Sequence, residues 1–216
     1  MNGLLKNNFY ASWDNAKWFA IVLAALGIAV VISEPRGPLT AYLLVSMIGF
    51  SANGLGSLRK EGASKWGKYK LTLPVRRRQI VGSCFLIQLF WLGVGILFAG
   101  IAVGASLLLH GYIFDLPTDV LMLFTTGISV SLWMGTFFFP LFYLGGEERS
   151  EVVLIVSLLG AAGVMTGLIY FLNWLFGPKQ TLAQLLLSSA ALLCTALLAY
   201  GVSYLAARKI FQRKNY

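Results

Sequence analysis

Charge-free apolar runs dominate the chain: Trp18–Ser33, Leu39–Leu58, Ile80–Leu109, Val120–Leu144, Val152–Phe176 and Leu182–Ala207 hold no Asp, Glu, Lys, Arg or His. About 20 apolar residues rising ~1.5 Å each cross a hydrocarbon core about 30 Å thick. The pattern therefore predicts six transmembrane helices. A barrel would need short segments of alternating polarity, and these runs are continuous. The fold class is an all-α integral membrane protein, with residues 1–216 forming a single transmembrane domain.

The spans differ in length. Span one reaches only about 24 Å as a helix, so Lys17 is expected to snorkel or the preceding segment to feed into the bilayer. Span three, at about 45 Å, must tilt, protrude or break, and Gly93, Gly95, Gly100 and Gly104 are its weak points. Pro140 predicts a kink near the end of span four. Two prolines in Glu34-Pro35-Arg36-Gly37-Pro38 make a tight turn. In residues 2–17, Leu5, Phe9 and Trp13 recur at i, i+4, i+8, with Lys6, Asn7, Asn8, Asp14 and Asn15 elsewhere on the wheel. That arrangement predicts an N-terminal helix lying in the membrane interface.

Composition agrees. The 216 residues are 58% apolar and 12% charged, against about 25% charged in soluble domains. The net charge of +9 reads as topology rather than as a nucleic-acid surface. Basic residues cluster before span one, between spans two and three, at Arg149 and after span six; only Arg36 and Lys179 fall on the opposite side. Lys/Arg-rich loops stay cytoplasmic, so both termini are expected there, with the 110–119 loop outside and a multi-pass location in a plasma membrane. Cys84 and Cys194 sit at different depths of their spans and read as packing residues. One histidine supports no ordinary metal site, and no cofactor is expected.

The empty membrane interior excludes whole classes of function. Proton relays and voltage sensors need buried ionisable groups, and intramembrane hydrolases need a catalytic acid, base or nucleophile pair at depth. The spans offer Asn53, Gln88, Asn173, Gln184 and scattered Ser and Thr, residue types that join helices. Gly100/Gly104 and Gly163/Gly167 have the spacing of close helix contacts. Uphill work by such a bundle would have to be driven through its cytoplasmic surface.

Residues 59–79 are the informative part of that surface. Eight bases stand against the single acid Glu61. Trp66, Tyr69 and Leu73 fall on one face of a short helix ended by Pro74, and exposed aromatics of this kind anchor partner contacts. Gly62-x-x-x-x-Gly67-Lys68 imitates a phosphate-binding loop, but Tyr69 replaces the hydroxyl residue that would hold magnesium and no strand precedes it. A polybasic loop binding anionic membrane lipids is the alternative role.

The string Glu61…Lys65-Trp66…Tyr69…Leu71-Thr72-Leu73-Pro74-Val75-Arg76…Ile80-Val81 resembles the signature of the ABC-2 type permeases in their small six-span branch. Phe139-Pro140-Leu141…Tyr143…Gly146-Glu147…Arg149 is similar to that branch's second motif, and Leu4-Leu5-Lys6…Phe9-Tyr10 to its N-terminal interface helix. Within the branch the chain looks closest to the permease subunits of phenol-soluble modulin exporters of Gram-positive bacteria.

The resemblance implies that 59–79 is a coupling helix docking into a separate ATP-binding-cassette subunit, with Glu61, Lys65, Trp66, Tyr69, Thr72, Leu73, Pro74 and Arg76 as contacts. Gly146, Glu147 and Arg149 would form a second contact on the same face, although Gly145-Gly146-Glu147-Glu148 departs from the basic trend there. It further implies a non-enzymatic membrane subunit of a bacterial cell-membrane exporter, paired with an identical or related permease, whose cargo is an amphipathic or hydrophobic peptide. A drug or lipid cargo fits an uncharged cavity as well. A non-transporting scaffold or sensor with a basic lipid- or partner-binding loop is the rival from another class.

Overall fold

The computed structural model describes residues 2–33, 36–63, 77–111, 114, 117–145, 149–177 and 181–213. Among them lie six α-helices and no strand: α1 Asn2–Ser33, α2 Arg36–Ala63, α3 Arg77–His110, α4 Pro117–Gly145, α5 Ser150–Phe176 and α6 Leu182–Arg213. All six are long and apolar enough to cross a membrane. Their surface is what a bilayer solvates: Ile101, Leu159, Leu198 and Val202 stand exposed within charge-free runs.

Helix ends are satisfied locally. Gly111 and Gly177 take positive φ (71° and 77°), a backbone region that residues with a side chain disfavour, and their N–H groups return to Leu107 O and Asn173 O, closing α3 and α5. At the start of α6, Thr181 N–H donates to Gln184 Oε1 (2.9 Å) and Gln184 N–H to Thr181 Oγ1 (3.4 Å). This is a capping box, and it gives Gln184 an end-of-helix role rather than the helix-joining one its type suggested.

The helices pack as two groups, α1–α2–α3 and α4–α5–α6, joined by α2 against α4 and by α3 against α6. The α2–α3 and α4–α6 contacts are the most extensive, while α5 and α6 barely meet. Leu43, Met47 and Phe50 of α2, Val81 of α3, and Leu132, Met134, Phe138 and Phe139 of α4 fill the centre. Glycine sets the closest approaches. A Cβ on Gly95 would lie 2.7 Å from Ser46 O, and one on Gly54 2.9 Å from the Gln88 Cα, so α2 and α3 touch backbone to backbone. Gly100, Gly104, Gly163 and Gly167 have nothing within 4 Å of that position. The pairs picked out by spacing alone are therefore not the contacts within this chain: spacing finds a shared helix face, and burial decides which face is used.

Residues 2–17 run without interruption into span one: α1 is continuous from Asn2 to Ser33, as expected if the preceding segment feeds into the bilayer. The inward face of this segment is not the apolar one. Leu4, Asn8, Ser12 and Ala16 are buried, whereas Tyr10 and Trp13 are exposed. Asn8 Nδ2 donates to Ser83 Oγ (3.1 Å) on α3, and the Trp91 indole N–H donates to Ser12 Oγ (2.8 Å). Small polar residues let α1 approach α3 closely and pair across the seam. In a bilayer, where lipid accepts the apolar face as readily as protein does, that outcome reverses the soluble-protein rule. Span three likewise does not break: α3 runs unbroken through all four of its suspected glycines.

Candidate functional site

The start of α1, the end of α2, the start of α3, the end of α4 and the end of α6 lie at one pole of the bundle. Near that pole Tyr143 packs on Phe211 with ring centroids 5.2 Å apart, and Asn8 reaches Ser83. At the opposite pole His110 Nε2 lies 2.8 Å from Val31 O. The helix ends that flank the two sequence motifs thus share a pole.

Of the proposed coupling contacts, Glu61 falls in the last turn of α2, its side chain outside the described set. Lys65, Trp66, Tyr69, Thr72, Leu73, Pro74 and Arg76 lie outside the described residues, as do Gly146 and Glu147. Arg149 is described: it is exposed and occupies the N-cap position of α5 without a side-chain capping bond. The buried part of the second motif is well placed. Phe139 stacks on Phe85 of α3 at 3.8 Å, and Tyr143 is buried against α6.

Beside Arg149 a cavity of about 490 Å³ opens between α1, α2, α4 and α5. Its polar lining is Asn15, Asn53, Ser150 and Glu151, and its apolar lining includes Phe19, Phe138, Leu154 and Ile155. Gly49 makes room on α2, since a Cβ there would collide with the Phe19 ring. One wall offers hydrogen bonds and a carboxylate, the other only carbon. The two walls differ in polarity as the two faces of an amphiphile do.

Above the cavity, Gln88 ties four helices. Its Nε2 donates to Ser51 Oγ (3.1 Å, α2) and to Ser131 O (3.0 Å, α4), and its Oε1 accepts from Tyr200 OH (2.9 Å, α6). Every donor of the amide is used, which makes a buried polar group tolerable at this depth. Gly135 is opposite, and a Cβ there would run into the Gln88 amide. Sequence singled out Gln88 as a helix-joining residue; its partners Ser51, Tyr200 and Gly135 carried no separate signal, because serine and glycine are common in every span. Nearby, Trp91 lies parallel to both Phe9 and Phe50, at 5.8 and 6.0 Å, binding α1, α2 and α3.

Among the described residues no Asp, Glu, Lys, Arg or His is buried, and no three of His, Cys, Asp and Glu come together. The structure is that of a multi-pass membrane protein with an uncharged body and an amphiphilic cavity at the pole bearing its long connection. The sequence signature of the ABC-2 family transporter proteins matches residues 3–212. The chain belongs to that family, which makes it a transporter permease. No curated protein and no solved structure matches it significantly.

Proposed function

We propose that the chain is the membrane subunit of an ATP-driven exporter of amphipathic or hydrophobic peptides, powered by a separate ATP-binding-cassette subunit. One observation carries this: a member of a transporter family has a body with no Asp, Glu, Lys, Arg or His in any apolar run. A gradient-coupled pump needs such groups at depth. Energy must then arrive mechanically, through the pole that carries 59–79, and a second permease copy would complete the pathway.

In this proposal Trp66 and Tyr69 anchor the segment in the ATPase, with Glu61, Lys65, Thr72, Leu73, Pro74 and Arg76 around them and Gly146, Glu147 and Arg149 alongside. Both termini face the cytoplasm of a bacterial cell. Cargo enters at the cavity beside Arg149, its apolar face against Phe19 and Leu154 and its polar groups toward Asn15, Asn53 and Glu151. Force on 59–79 acts directly on α2 and α3, which share backbone contact at Gly54 and Gly95. The pair would move as one body and close the cavity wall.

The test is co-expression with the ATPase of the same operon, with purification on a tag carried by this chain. The wild type is expected to bring down the ATPase in stoichiometric amount, and Trp66→Ala/Tyr69→Ala to lose it. Undiminished capture by the double variant would refute the docking face.

A further inference from the structure

A second cavity, of about 540 Å³, lies at the opposite pole between α1, α2 and α3. Its volume is in the ~300–1,000 Å³ range of small-molecule sites. Small residues create it: Gly27 on α1 and Ala102 and Ala105 on α3 face the space. Ile28 and Ile101 are its exposed walls (64% and 69%), while Tyr42 and Ala102 form a buried floor (7% and 4%). It is thus open toward the bilayer and closed toward the core.

Every lining side chain is hydrocarbon except that of Tyr42. The phenol reaches across to α1, where a Cβ on Gly27 would sit 2.7 Å from its hydroxyl. No hydrogen bond from the described residues reaches that hydroxyl. A donor held without an acceptor in apolar surroundings carries a desolvation penalty, and in hydrocarbon no water relieves it. An acceptor brought by a ligand would. Gly27 is about 9 Å along α1 from its end at Ser33 and inside the charge-free run Trp18–Ser33, so the hydroxyl sits beside apolar helix rather than at a helix end. The matching ligand carries its oxygen inside an apolar body.

We propose that this cavity is a binding site for an uncharged lipophile bearing a single hydrogen-bond acceptor, entered sideways from the membrane and held by the Tyr42 hydroxyl. The site is separate from the amphiphilic cavity at the other pole and does not rest on the export proposal. An occupant touches α1, α2 and α3 together and so fixes the spacing of their ends.

Benzophenone is a suitable probe, being an uncharged ketone that photolabels the C–H bonds around it. The purified full chain in detergent is labelled over a concentration series and the adducts are mapped by mass spectrometry. Saturable labelling is expected on the lining of α1 and α3. Tyr42→Phe, which keeps the ring, should weaken it by about three- to tenfold, the worth of one hydrogen bond. Ala102→Phe should abolish it, and Leu198→Phe, on the exposed face of α6, should leave it unchanged. Diphenylmethane, the same shape without the oxygen, should compete poorly against wild type and equally well as benzophenone against Tyr42→Phe. Labelling spread evenly over the lipid-facing surface, or indifferent to Tyr42→Phe, would overturn the proposal. So would full displacement by added phosphatidylcholine, which would make the occupant a lipid chain, or adducts linking two copies through this face. Should Ala102→Phe fail to fold, Tyr42→Phe and the diphenylmethane comparison decide alone.

Discussion

Ser203 Oγ on α6 donates to the carbonyl oxygen of Thr136 on α4 at 2.8 Å. Thr136 precedes Pro140 by four residues, and proline has no N–H to close that turn. The carbonyl that Pro140 strands inside the bilayer is thus capped by a neighbouring helix, the arrangement that makes proline tolerable in a spanning segment. Ser203→Ala should destabilise the fold by about 0.5–2 kcal/mol. Pro140→Ala in the same chain should recover part of the loss by restoring the N–H. Unfolding in mixed micelles measures both; a loss that Pro140→Ala leaves untouched would contradict the pairing.

The Gln88 amide and Gly135 occupy one another's space. Gly135→Ala should cost about 1–3 kcal/mol by overpacking. Combined with Gln88→Ser, which withdraws the amide, it should cost less than the two single changes added together. Strict additivity would mean that the two positions do not share a site.

Glycines of equal number in the spans should respond unequally. Gly54→Leu and Gly95→Leu force backbone apart and should prevent a stable monomer fold. Gly163→Leu, facing open space, should leave the monomer's thermal unfolding in detergent within about 0.5 kcal/mol of wild type. An equal effect at all three positions would argue against backbone contact between α2 and α3.

The placement of α1 can be read by labelling. A cysteine at Asn8, buried against Ser83, should resist a membrane-impermeant maleimide, while one at Tyr10, which is exposed, should react. Reaction of both at the same rate would contradict the packing of Asn8 against α3.

The six helices were legible because charge is forbidden in hydrocarbon at any position along a span, so hydropathy alone outlines them. What faces inward was not legible. In water, apolar residues mark the core; in lipid they mark nothing, and the seams are built from Asn8, Ser12, Ser83 and Gly95, whose types occur throughout the chain. The continuity of α3 through Gly93, Gly95, Gly100 and Gly104 was unreadable for a related reason: within the bilayer the backbone has no solvent to turn to, and glycine does not end a helix whose hydrogen bonds have no alternative. The amphiphilic cavity gathers Asn15, Asn53 and Glu151 from three helices, a convergence no local pattern encodes. The proposed docking segment, by contrast, stands out as a string, since Trp66, Tyr69, Leu73 and Pro74 fall together in a short polar stretch.

By the rule that Lys/Arg-rich loops stay cytoplasmic, accessibility labelling is expected to find the 110–119 loop outside and residue 70 inside. The reverse would place the proposed docking segment beyond the reach of any cytoplasmic ATPase.

The most direct measurement is uptake of a labelled amphipathic peptide into sealed proteoliposomes containing this chain with and without its ATPase. Transport is predicted only with the ATPase and hydrolysable ATP, and not with Trp66→Ala/Tyr69→Ala. Accumulation against a gradient by this chain alone would contradict the account.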